Sequence, residues 1–173
     1  LLWPQAQASS LTVWFNQSYG DDQYRELFQT FEFRQAMSLS IDRETINQIS
    51  FLGQGVARTE TVVPASPYYQ EDIEALNAEF DPDKANMLLD ELGLPMGDDG
   101  YRTFADGTPI VLVMETRWPD GPLNDGLQLV AENWAAVGIK TEVNSMTRDV
   151  YWPRASAKSW SPPGQLIVVW FQW

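Results

Sequence analysis

The chain has 173 residues, enough for one domain with a sizeable core, and its 44% hydrophobic and 20% charged residues suit a globular rather than a disordered or fibrous protein. A net charge of −13 disfavours nucleic acid and anionic membrane faces as partners and leaves cationic or neutral ligands open. With neither Cys nor His present, thiol nucleophiles, disulfides, Ser-His-Asp arrangements and thiolate or imidazole metal sites are excluded, and no cofactor or metal is expected.

The opening Leu1-Leu2-Trp3-Pro4-Gln5 has neither an initiator Met nor the basic and apolar regions of a signal peptide. It reads as a cut inside a longer protein, with residues 1–10 a linker or truncated hinge region. No apolar run approaches the roughly 20 residues that span a bilayer. Leu11 to Asn16, short, β-branched and aromatic, predicts a strand. From about Tyr24 to Ile41 the apolar Phe33, Ala36, Met37 and Ile41 fall on one helical face, which predicts a helix. Asp42 is placed to cap a second helix running to about Leu52, with Glu44 in its first turn and Gly53 or Gly55 at its end.

Pro64 and Pro67 then impose an irregular path with β character over the "VARTETVVPASPYY" stretch. Asp81-Pro82-Asp83 supplies an N-cap, a proline at the first helical position and a first-turn acid. Ala85, Leu88, Leu89 and Leu92 form the stripe of the helix that follows, and Gly93 stops it. A short strand, an Asp106-Gly107 turn and a strand from Ile110 to about Thr116 have hairpin chemistry. Leu123, Leu127, Val130, Ala131 and Trp134 mark a helix ending at Gly138. Ile139 to Asn144 alternates as a strand with one wet face. A short helix over Asp149–Lys158 despite Pro153, and a buried strand from Leu166 to Phe171, complete an α/β layer with crossover connections.

Chemical signals are weaker. The aspartates of Gly97-Asp98-Asp99-Gly100 lack the spaced ligands of a calcium loop and read as a solvated turn. Glu60 and Glu115 are carboxylates of the kind that hydrolyse glycosides in pairs, but their spacing does not make them neighbours. The "GQG" at residues 53–55 is no phosphate loop. Eight tryptophans are a high content, and several fall at strand ends or in loops, where an indole suits stacking on sugars or packing over peptide side chains. Composition therefore favours a binding protein over an enzyme. A carbohydrate-binding module or a glycoside hydrolase fragment is the alternative.

Four stretches occur in an order that resembles one family. "FRQAMSLSIDRETI" at Phe33–Ile46 is similar to the arginine-x-alanine and isoleucine-aspartate-arginine signature of bacterial extracellular solute-binding proteins of family 5, the peptide, oligopeptide and nickel receptors of ABC importers. "WFNQS" at Trp14–Ser18 resembles its phenylalanine-asparagine strand, and "FDPDKANMLLDELGL" at Phe80–Leu94 its aspartate-proline helix. "LVAENWAAVGIKTEV" at Leu129–Val143 resembles its glycine-isoleucine helix-strand unit.

The resemblance implies an α/β chain with the C-terminal lobe of a periplasmic-binding-protein-like (class II) fold, a mixed sheet flanked by helices. Residues 11–173 would form part of that lobe, with the N-terminal lobe absent. It further implies a non-enzymatic, monomeric receptor, periplasmic or extracellular and open to lipid anchoring, that closes over a peptide or other small solute and delivers it to a membrane permease. Arg34 and Arg43 would form structural ion pairs beside the caps. Candidate ligand contacts are Trp14 and Asn16 on the first hinge strand, Tyr151 and Trp152 after the Ile139 strand, and Trp170 and Trp173 at the last strand. Tyr151 and Trp152 match a position where peptide binders set an aromatic against a ligand side chain. Gln165 stands where the family usually has aspartate, and the acid that holds a peptide's amino terminus would lie beyond Trp173.

Overall fold

A computed structural model describes residues 11–156 and 165–170, with residues 154–156 and 165–170 described by backbone alone. The elements run β1 (Thr12–Phe15), α1 (Asp22–Gln29), α2 (Phe31–Leu39), α3 (Arg43–Phe51), α4 (Glu71–Ala75), α5 (Pro82–Glu91), β2 (Val111–Thr116), α6 (Pro122–Ala136), β3 (Lys140–Ser145), α7 (Arg148–Ser156) and β4 (Gln165–Trp170). The sheet is mixed, in the order β1-β4-β2-β3. β2 is parallel to both β3 and β4, whereas β1 runs antiparallel to β4. Helices α6 and α7 make the crossovers that parallel pairing demands.

The helix ends follow capping chemistry. Asp21 accepts the Tyr24 N–H at 3.2 Å, Asp42 the Thr45 N–H at 3.0 Å and Asp81 the Lys84 N–H at 2.9 Å, so all three open a helix with a charged acceptor for an otherwise orphaned donor. Past the last turns, Gly93 and Gly138 sit at φ +71° and +82°, a left-handed conformation that any Cβ would strain.

One face of the sheet meets the helices. Phe15 packs its ring against Phe28, Phe33 and Trp134 at 5.4, 5.6 and 5.8 Å between centroids. Leu112 and Met114 of β2 are buried with Leu127 of α6 and Ile139 in the same core. Trp134 donates its indole N–H to the Met37 carbonyl at 3.0 Å, which ties α6 to α2. In β3 alternate residues are exposed and half-buried, as the period-2 pattern predicts.

Four expectations are corrected. The single helix expected over residues 24–41 is two, because Thr30 adopts an extended conformation (ψ 123°) and its hydroxyl bonds the Glu26 carbonyl at 2.8 Å, closing α1 with a side chain that competes for the backbone. Arg34 then donates to the Phe28 carbonyl at 2.7 Å across that break. Arg34 and Arg43 bond main-chain carbonyls, Arg43 those of Ser38, Ile41 and Ala78, in place of the ion pairs expected. The strand before Asp106 reduces to isolated bridges, Met96 with Arg102 and Thr103 with Pro109, so β2 finds its partners across the crossovers rather than in a hairpin. Residues 54–70 are the irregular path expected but without its β character, and the short α4 that follows was not expected. The C-terminal portion of the α7 stretch, to Lys158, and Phe171 lie outside the described residues.

Candidate functional site

The carboxyl ends of β2, β3 and β4 lie along one side of the sheet, where α/β folds place their ligands. Residues paired across strands share a face. Trp14 pairs with Val168, Val168 with Glu115 and Glu115 with Asn144, so Trp14, Glu115 and Asn144 lie in one lateral row on the face opposite Phe15. Within the row Asn144 reaches Glu115 at 3.5 Å. Ser145 bonds Asn124 of α6 at 2.7 Å, which fixes the end of β3 to the first turn of that helix.

Just past β2 an arginine is held between two indoles. The Arg117 guanidinium carbon lies 5.3 Å from the ring centre of Trp118 and 5.3 Å from that of Trp152, within cation–π range of both. Trp152 stands edge-on to Tyr151, their centroids 5.6 Å apart. Tyr151 is only 2% exposed. Burial pushes its hydroxyl pKa up to about 12, with Arg117 opposing the rise and Glu115 adding to it. Arg117, Trp118 and Trp152 are themselves half-buried, so this corner joins a positive charge to accessible aromatic surface.

A groove of about 1290 Å³ runs along β1, the outer strand, between α3 and the 54–64 segment; Trp14, Asn47, Phe51, Arg58 and Glu60 are among its lining residues. Trp14 is 47% exposed and donates its indole N–H to Glu60 at 2.6 Å.

The predicted candidates therefore divide. Trp14 lines the groove, while Tyr151 and Trp152 sit by Arg117 beyond β2. Asn16 accepts the Ser18 N–H and hydroxyl at 3.1 and 3.0 Å and shapes the turn after β1. Trp170 ends β4 opposite Thr12, and Trp173 lies outside the described residues. Sequence reasoning passed over Arg117 and paired Glu60 only with Glu115. The retrievable signal was "TRW", a cation beside an indole at a strand's carboxyl end. Glu60 and Glu115 serve different neighbours, Trp14 and Asn144. Among the described residues no cluster of acidic side chains could hold a metal ion, and no helix is long and apolar enough to cross a membrane.

The mixed sheet with its crossover helices is the fold of a periplasmic-binding-protein-type lobe. The family model described as bacterial extracellular solute-binding proteins, family 5 Middle, matches residues 3–162, and the chain belongs to that family. It is 31% identical over 137 residues to the di/tripeptide-binding protein 3 of Pseudomonas aeruginosa, covering 75% of this chain and 22% of that protein. It is 27% identical over 146 residues to heme-binding protein A of Haemophilus influenzae, covering 84% of this chain and 24% of the other. A solved oligopeptide-binding protein, OppA, superposes with a TM-score of 0.88 at 34% identity, over 97% of this chain and 26% of that one. The chain thus spans about a quarter of the length of the relatives it matches. Its family is one of binding proteins, which disfavours the glycoside hydrolase alternative.

Proposed function

We propose that this chain is part of the substrate-binding component of an ABC importer, which captures a peptide or similar small solute outside the cytoplasmic membrane and hands it to the permease. Residues 11–173 form part of the C-terminal lobe in this reading, residues 1–10 belong to the hinge region, and the complete receptor works as a monomer without catalysis. A lipid anchor on the complete receptor is compatible with that place of work.

The observation that carries the reading is the Arg117 corner. The Arg117 guanidinium lies over both Trp118 and Trp152, 5.3 Å from each ring centre, so its position is set by two indoles. It offers a carboxylate a charge-assisted bond, with indole beside it for an apolar side chain. Trp14 lies two strands away in the same lateral row as Glu115, two residues before Arg117, so an extended solute laid across the strand ends spans both. Burial between lobes, stacking and hinge closure then supply affinity. Peptide binding by the P. aeruginosa and OppA relatives, as their names state, supports this choice of solute.

The test is mass spectrometry of solute co-purified with the full-length receptor, followed by titration of that solute into Arg117→Ala and Trp152→Ala variants. Losses of about tenfold or more are expected for Arg117→Ala. Unchanged affinity in both variants would remove this corner from the site, and a sugar or metal chelate as the bound species would refute the peptide assignment.

A further inference from the structure

The segment of residues 54–70 has neither helix nor strand, yet it is pinned at both ends. At the first, the Asn47 carboxamide takes both polar groups of Gly55, accepting its N–H at 2.8 Å and donating to its carbonyl at 3.1 Å. At the second, Glu74 of α4 accepts from Arg58 Nη1 at 2.6 Å and from the Tyr69 hydroxyl, while its carbonyl takes the Thr59 N–H at 3.0 Å. Glu60 is the residue just beyond Thr59, and it meets the indole of Trp14 across the groove.

We infer that Glu60 is a positioning residue for Trp14, so that the pinned segment helps to set which way the ligand-facing indole lies. This deepens the receptor reading above and rests on its claim that Trp14 meets the solute. An indole has one donor, and a half-exposed indole on an outer strand has several rotamers open to it. An acceptor oxygen on a segment held at Gly55 and Thr59 selects one of them, because the N–H meets it only in that rotamer. The orienting group and the oriented group come from segments 46 residues apart. A change in the 54–70 segment therefore retunes the site without altering any residue of the sheet.

Glu60 is exposed, so replacing it leaves the core intact. The experiment uses the full-length receptor labelled with ¹⁵N in its indole rings, in unaltered, Glu60→Ala, Glu60→Gln and Trp14→Ala forms. The Trp14 indole N–H resonance is assigned by its loss in Trp14→Ala. Capture of an equimolar mixture of dipeptides and tripeptides is measured by mass spectrometry. Glu60→Ala should move that resonance and lower capture by about fivefold, and Glu60→Gln, which keeps a carbonyl acceptor, should restore most of both. A resonance that stays in place in Glu60→Ala, a shift with no change in capture, or a Glu60→Gln form as poor as Glu60→Ala would each overturn the inference. Trp14→Ala with undiminished capture would instead remove Trp14 from the site. If the unaltered receptor captures nothing from the mixture, the peptide reading fails and this inference falls with it.

Discussion

Arg102 is a charged side chain only 2% exposed, and the structure gives each of its nitrogens a task. Nε donates to the Val137 carbonyl at 2.9 Å, Nη1 to the Leu94 carbonyl at 2.7 Å and to Asp90 at 2.6 Å, and Nη2 to the Asn86 carboxamide oxygen at 2.9 Å. Val137 caps α6 and Leu94 follows the end of α5, so one guanidinium supplies donors to carbonyls left over where two helices stop. Arg102→Met keeps the aliphatic stem and removes every donor. Two buried carbonyls then lose their partner at roughly 1–3 kcal/mol each. Asp90, 69% exposed at its side chain, returns to water and adds little. The sum is about 3 kcal/mol, to be read as a shift in the urea midpoint of the full-length protein with the slope unchanged. Arg102→Lys, able to reach one carbonyl but not the fork of three directions, should fall between. A loss below about 1 kcal/mol for Arg102→Met would mean that water replaces the guanidinium at no cost, and would refute the reasoning.

Asp42 caps α3 through its contact with the Thr45 N–H at 3.0 Å and is also bonded by the Thr45 hydroxyl at 2.6 Å. Asp42→Ala should cost about 1 kcal/mol at neutral pH. The Thr45 hydroxyl, then its N–H, holds the Asp42 carboxyl below 3.8, so its contribution is present above that pH and is lost as pH falls through the lower folded-state value. The difference between Asp42→Ala and the unaltered protein should accordingly shrink as pH falls below 3.8, and a gap that does not shrink in acid would show that charge plays no part in the cap. For Tyr151 the sign is opposite. Its hydroxyl is raised from 10.0 to about 12, so the folded state keeps a proton that the unfolded chain releases, and stability declines as pH rises from 10 toward 12. Tyr151→Phe should flatten that decline in alkaline urea titrations, and an identical slope in the two proteins would contradict the burial of the hydroxyl.

Most of the fold was legible because its signals are local. Asp42, Asp81 and Gly93 stop or start helices through their own backbone neighbours, and the capping pattern found them without knowledge of the rest of the chain. Thr30 was missed because helical periodicity continues across it. What breaks the helix is a hydroxyl turned back on Glu26 and an arginine reaching the Phe28 carbonyl, neither of which changes the apolar pattern. Strand order was harder still, since the Asp106-Gly107 turn is a hairpin signal, whereas pairing was decided by β3 and β4, which arrive from beyond two crossover helices.

The site shows the same division between near and distant causes. Trp14 and Trp152 stood out by residue type, but Arg117 and Glu60 gain their meaning from neighbours 35 and 46 positions away, as the intervals to Trp152 and Trp14 show. Asn16 illustrates the converse. It matched the family's strand motif, yet its carboxamide oxygen accepts two bonds from Ser18 two residues on, a local bond that Asn forms where a strand gives way to a turn. Type and motif thus locate the elements that hold the candidate residues, while the polar neighbour of each aromatic is set by tertiary contact. For this chain, substitutions at Glu60 and Arg117 should for that reason change binding more than substitution at the motif residue Asn16.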